Sequence, residues 1–334
     1  MKLTGGGELV YSTLLGGSGI DQGLGVAVDD GGRACVVLLT SSPDLPLVNA
    51  AHGYTSASLI TYLATFNADG AALHYSTYLG GSADDAYVRM DGAGNAYVAG
   101  TASSVNFQTT AGAYQTQLRG PSDGFLTKLD PNGAVVFSTF IGGTNRDAIT
   151  GLDVRNGALY VTGVTSSSDF PTRNPLTAAA PGANSSFAAK FTAGGELVYS
   201  TYLGDGVNPD VSLIAVNSRG EAFVLFPVEK NVLPSKDAIQ PTLRGAPDLY
   251  LLQLDANGST LQFATYFGGS DNEVAGGLTV DSSDRVVIAG RTSSTDLPLA
   301  HAAQAQYAGG TSEAFVAAFQ VSPLPPPKRH AVKH

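Results

Sequence analysis

Apolar residues along this chain fall into short runs of four to nine positions, divided by glycine, asparagine and aspartate, and the runs recur in sets of four. The first run of a set, A, reads "GVAVD" (25–29), "YVRMD" (87–91), "GLDV" (151–154), "LIAVN" (213–217) and "LTVD" (278–281). The second, B, reads "ACVVLLT", "AYVAGT", "ALYVTGVT", "AFVLF" and "VVIAGRT"; the third, C, reads "LITYLATFN", "FLTKLD", "FAAKFT", "LYLLQLD" and "AFVAAFQ". The fourth, D, is nearly the same heptad each time: "YSTLLGG" from Tyr11, "YSTYLGG" from Tyr75, "FSTFIGG" from Phe137, "YSTYLGD" from Tyr199 and "FATYFGG" from Phe263. Runs of this length, rich in Val, Tyr, Phe and Thr and closed by turn formers, predict strands. No stretch has the spacing of a long helix.

The turns support the same reading. "DGAGN" joins an A to a B, and "NADG", "DPNG", "TAGG" and "DANG" join C to D, each with a glycine where positive φ is needed. Antiparallel A–B–C–D sheets follow. Both faces of each sheet are apolar, so a sheet cannot stand alone, and a period of 62–64 residues across the chain marks a repeat architecture. Five sheets stacked about an axis make an all-β, five-bladed β-propeller; an open solenoid is the competing arrangement, with a usual repeat shorter than this one. The last repeat has no D after its C, and the first D precedes any A. The N-terminal strand, Leu9–Leu15, is therefore expected to pair with Ala314–Gln320 and close the ring, leaving Met1–Thr4 frayed. The propeller spans residues 1–321, and 322–334 form a Pro-rich basic tail, a stiff spacer or linker end.

"YSTYLGG", "VAVDDGG", "NAYVAGT", "SSSDFPT" and "DGFLTKLDPNG" are similar to the bacterial β-propeller repeat family, the SBBP repeats, in five consecutive copies over residues 1–320. The family's name implies seven blades, where this chain counts five. The resemblance implies a module of a large secreted or cell-surface bacterial protein, of a kind mostly without an assigned activity. "MKLTGGGELVYS" matches the internal "AKFTAGGELVYS", so the first residues read as the end of a strand whose start is missing, and a trimmed or partial product is expected. On that reading the lack of a leader in the sequence does not bear on an extracellular or surface location.

Composition narrows the function. Of 334 residues, 43% are hydrophobic, enough for a core, and only 14% are charged. The tail holds three of the 18 basic residues, leaving 15 in the body against 28 acidic ones. A body so acidic should repel nucleic acid and anionic membrane, and no apolar run is long enough to span a bilayer. Cys35 is the only cysteine, so no internal disulfide forms.

Two features suggest sites. The B–C loops, such as "SSPDLPLVNAAHGYTSA" and "SSSDFPTRNPLTAAAPGANSS", are long and are expected on one rim, where a protein or glycan partner would meet them. Their recurrent Phe or Leu beside Pro (Leu45, Phe170, Leu233, Leu297, with Phe107 lacking the Pro) reads as a buried plug. Tyr54, Tyr114 and Tyr307 are the aromatics that could stack on a sugar in a chain without Trp, with Arg119 and Arg244 as polar partners; the two arginines could equally pair with Asp123 and Asp248. The second feature is an acidic residue before each A run: Asp21, Asp85, Asp147, Asp210 and Glu273. These could ring the axis and bind Ca²⁺, or each could cap its own glycine turn. No cofactor is otherwise expected.

Catalysis finds little footing. The five histidines lack metal-ligand spacing, no GxSxG elbow occurs, and the near-equivalent carboxylates lack the distinct environments that a glycosidase pair needs. A non-catalytic binding or scaffold module is the leading expectation, a lectin-like propeller the second and a glycoside hydrolase the third.

Overall fold

The computed structural model describes residues 1–55, 59–80, 83–205 and 211–321; the basic tail and Asp210 lie outside them. All regular structure is strand. A hairpin of β1 (Lys2–Leu3) and β2 (Leu9–Tyr11) precedes four four-stranded antiparallel sheets. These are β3 (Asp21–Val28) to β4 (Ala34–Thr40), β5 (Ile60–Phe66) and β6 (Leu73–Gly80); then β7 (Ala83–Met90), β8 (Ala96–Ala102), β9 (Asp123–Leu129) and β10 (Val135–Ile141). The third is β11 (Asp147–Arg155), β12 (Ala158–Thr165), β13 (Ser185–Phe191) and β14 (Leu197–Asp205), and the fourth is β15 (Leu213–Val216), β16 (Ala222–Val228), β17 (Asp248–Leu254) and β18 (Leu261–Phe267). A three-stranded sheet ends the fold: β19 (Glu273–Val280), β20 (Arg285–Thr292) and β21 (Glu313–Gln320). Strand order within each sheet is sequence order, the A–B–C–D pattern of propeller-like blades. Among the described residues no helix is long and apolar enough to cross a membrane.

Alternation along the strands builds the core between sheets. On β8, Ala96 and Val98 join Cys35, Val37 and Leu79 of the first sheet in one cluster, while Tyr97 and Ala99 join Ile149 and Phe187 of the third sheet in the next. Each central sheet thus spends both faces on neighbours, which is why its strands read as nearly continuous apolar runs.

Three positions of the heptad acquire separate tasks. Its first aromatic packs on the C–D turn glycine of the following sheet: Tyr11 on Gly70, Tyr75 on Gly133, Phe137 on Gly195 and Tyr199 on Gly258. All four glycines have positive φ, and a Cβ on any of them would come within 2.6 Å of the ring. The third residue, Thr, accepts the B–C loop through its hydroxyl, as in Gln115 N to Thr139 Oγ1 (3.0 Å) and Thr177 N to Thr201 Oγ1 (2.9 Å). The second aromatic, where it is Tyr, holds the loop plug: the amides of Leu45, Phe170 and Leu233 donate to Tyr78, Tyr202 and Tyr266.

Two expectations need correction. Closure by the N-terminal strand is not what forms. Leu9–Tyr11 pairs with Lys2–Leu3, β21 pairs with β20 alone among the described strands, and there are six sheets in place of five four-stranded ones. Met1–Thr4 is not frayed, because β1 takes the edge of β2 that β21 would have used, and a hairpin of a few residues closes at far less entropic cost than a chain-long loop. The hairpin sits as an internal C–D pair does: Lys2 Nζ donates to Ala68 O at 2.9 Å, as Lys128 does to Ala193 O and Lys190 to Ala256 O. Leu14, at the second aromatic position, is 98% exposed.

The B–C loops are the other correction. Those of the four four-stranded sheets fold back along the outer edge of their own D strand. Bridges join Val48 to Ser76, Arg173 to Ser200 and Lys236 to Ala264, and Thr110 N donates to Ser138 O. The edge that would otherwise offer unpaired amides is covered by the chain's own loop.

Candidate binding groove

The carboxylates before the A strands do not converge. Asp21 accepts Gly17 N, Thr40 Oγ1 and Ser42 Oγ; Glu273 accepts Gly269 N, Thr292 Oγ1 and Ser294 Oγ; Asp147 Oδ2 accepts Gly143 N and Ser167 Oγ; Asp85 accepts Thr101 N. Asp21, Asp147 and Glu273 each clamp their own D–A turn to the end of their own B strand. Asp210 lies outside the described residues, among which no group of three or more His, Cys, Asp or Glu could hold a metal ion.

Asp147 is the most buried in effect. Desolvation pushes its carboxyl up to about 6, against the stabilising Gly143 amide and hydroxyls, with the nearby Asp123 charge adding to the rise. A folded-state value above the ordinary 3.8 means that its contribution to stability is present at acid pH and is lost as pH climbs from about 4 through about 6, on the order of 3 kcal/mol in all. Denaturant titrations of the wild type and Asp147→Asn at pH 4 and pH 7 should differ in slope, the variant losing less over that window; equal slopes would refute the assignment.

The three tyrosines lie in loops of three different sheets. Tyr54 is half-buried, its ring edge-on to Tyr78 at 5.4 Å. Tyr307 donates to Gly310 O at 3.3 Å within its own loop. Tyr114 alone borders a large groove, about 590 Å³, between the second and third sheets. Its ring is 41% exposed and meets Phe191 edge-on at 6.1 Å. Burial raises its hydroxyl pKa, opposed by the charges of Arg119 and Arg173. Phe137, Arg173, Asn174, Glu196 and Val198 complete the wall, with Asn174 Nδ2 tied to Val198 O at 3.1 Å.

Arg119 and Arg244 resolve in an unforeseen way. Their main-chain amides, not their guanidinium groups, reach Asp123 and Asp248, at 2.8 and 2.9 Å, and the next glycine amide adds a second bond. "LRGPSD" and "LRGAPD" are thus turns wrapped around a carboxylate. Arg173, Asn174 and Glu196 were missed because they sit in segments read as connectors. The signal was weak: Arg173 occupies the position of Val48, Thr110, Lys236 and Ala300, of which Lys236 is also basic.

No protein-family model matches the chain, and no curated protein matches its sequence. Among solved structures it is similar to a Dyadobacter fermentans protein of unknown function, at 9% identity over 85% of this chain and 79% of that one, TM-score 0.46. It is also similar to a Bacteroides caccae protein of unknown function, at 10% identity over 80% and 70%, TM-score 0.38. A third is the Synechocystis apocarotenoid oxygenase, at 12% identity over 83% and 58%, TM-score 0.37.

Proposed function

We propose that this protein is a non-catalytic binding or scaffold module of a secreted or cell-surface bacterial protein, built as a propeller of SBBP-type repeats, and that the groove beside Tyr114 takes its ligand. The observation that carries this reading is the groove's make-up: an exposed aromatic ring set beside a guanidinium, an amide and a carboxylate, on a wall fixed by two sheets. The carboxylates with the strongest burial serve turn geometry in near-equivalent settings, which favours a structural over a catalytic use.

The same groove favours a glycan as ligand, since a tyrosine face stacks on a pyranose while Arg173, Asn174 and Glu196 can bond its hydroxyls. A glycan array probed with the wild type and Tyr114→Ala tests this. Saturable binding that falls about tenfold in the variant is expected from the loss of one stacking contact of roughly 1 kcal/mol and more. Binding that the substitution leaves unchanged would remove the groove from the account, and an array with no hits would turn the search to protein partners.

A further inference from the structure

At the other end of the sheets' inner edges the repeat is broken in a way that packing does not require. Strand pairing aligns Ala27 of β3, Arg89 of β7, Asp153 of β11, Ala215 of β15 and Thr279 of β19, each facing the same position on its B strand: Cys35, Tyr97, Tyr160, Phe223 and Val287. Three are small. The second and third sheets instead place an arginine and an aspartate there, and the longer β11 adds Arg155 two residues on. Arg89, Asp153, Arg155, Val216 and Thr279 line one cavity of about 270 Å³, shared by four of the five inner strands.

Burial raises the Asp153 carboxyl pKa and the charges of Arg89 and Arg155 oppose that rise, so the one carboxylate offsets only part of the two guanidinium charges that line the cavity. Asp153 gives its oxygens to backbone amides, Val154 N at 2.8 Å and Val216 N at 2.7 Å, and forms no ion pair with either arginine among the described residues. Arg89 donates to the carbonyl of its neighbour Val88, and Arg155 Nη2 to Val216 O at 3.0 Å. Arg155 Nε is buried with no acceptor. Leaving a buried charged donor unsatisfied is unfavourable, and two guanidinium groups in one polar cavity of an otherwise acidic body offer several N–H donors suited to an oxyanion.

We propose that this cavity between the first strands of four sheets binds a small oxyanion, held by Arg155 and Arg89. The bound anion would accept from Arg155 Nη1 and from the exposed Arg89 guanidinium, with Asp153 fixing the β11–β15 junction through its amide bonds. The site is separate from the Tyr114 groove, so its failure leaves the reading above untouched.

Isothermal titration with inorganic phosphate at low ionic strength tests it, using the full chain, Arg155→Gln, Arg89→Gln and the control Arg244→Gln. Saturable binding near one phosphate per chain is expected, weakened tenfold or more by Arg155→Gln, several-fold by Arg89→Gln and not by Arg244→Gln. Arg89 is exposed, so that variant should fold even if Arg155→Gln does not. Absence of saturable binding, or equal affinity in Arg89→Gln and the wild type, overturns the proposal.

Discussion

Gly163→Ala is expected to lose about 3 kcal/mol or more of folding stability, because a single added carbon has nowhere to go. Gly163 lies on β12 opposite Ile149, where β11 carries a bulge between Ile149 and Gly151. A Cβ at Gly163 would sit 1.9 Å from the Ala148 carbonyl oxygen, and that oxygen is backbone, so relief requires the bulge itself to move. Gly100 and Gly290 meet the same obstacle, the carbonyls of Asp85 and Val274 at 2.3 Å; Gly290 lies beside the matching bulge of β19, whereas the bulge of β7 falls between Ala83 and Asp85. Gly23→Ala is the control, since nothing lies within 4 Å of its added carbon. Urea unfolding should therefore separate the two glycines by several kcal/mol. A Gly163→Ala protein within 1 kcal/mol of the wild type would show that the bulge gives way freely and that its glycine is incidental.

Phe170→Ala should cost about 3–5 kcal/mol, the range for emptying a buried aromatic site. The ring is 3% exposed, 4.4 Å from Phe187 and 6.1 Å from Tyr202, and the Phe170 amide donates to the Tyr202 hydroxyl at 3.1 Å. The loop it anchors also bridges β14 through Arg173, so the loss extends to the covering of the sheet edge. Phe170→Leu should cost under about 1.5 kcal/mol, because leucine holds this position in three of the five repeats, at Leu45, Leu233 and Leu297. Equal losses for Ala and Leu in thermal or urea melts would mean that the plug acts through its backbone alone.

The sheets, their order and the plug were legible because each has a local cause. Strand length, turn glycines and a fixed period are written in neighbouring residues, and burial of Leu45, Phe107 and Phe170 follows from an apolar residue set beside a stiff loop. The course of the B–C loops was not legible. Polar loops ordinarily face water, and the partners that draw these ones inward, such as Ser76 and Thr139, lie 24–28 residues further along. The fate of the N-terminal strand failed for a related reason: β1 and β21 offer β2 the same kind of edge, and periodicity ranks neither above the other. Of the site residues, Tyr114 was found by elimination of Trp, whereas Arg89 and Arg155 show only as exceptions to the repeat. Exceptions carry more functional information here than the consensus, whose residues are consumed in joining sheet to sheet.

The aromatic-on-glycine contact has a mechanical meaning. It ties the N-terminal hairpin and the four-stranded sheets, each to the one that follows, through the same small joint, so stability passes along them as in a row of coupled units, each depending on its immediate neighbours. A unit in the middle is held from both sides and a terminal one from a single side. Thermal opening would then start at the two ends and travel inward, and the groove beside Tyr114, lodged between the second and third sheets, would be among the last features to melt.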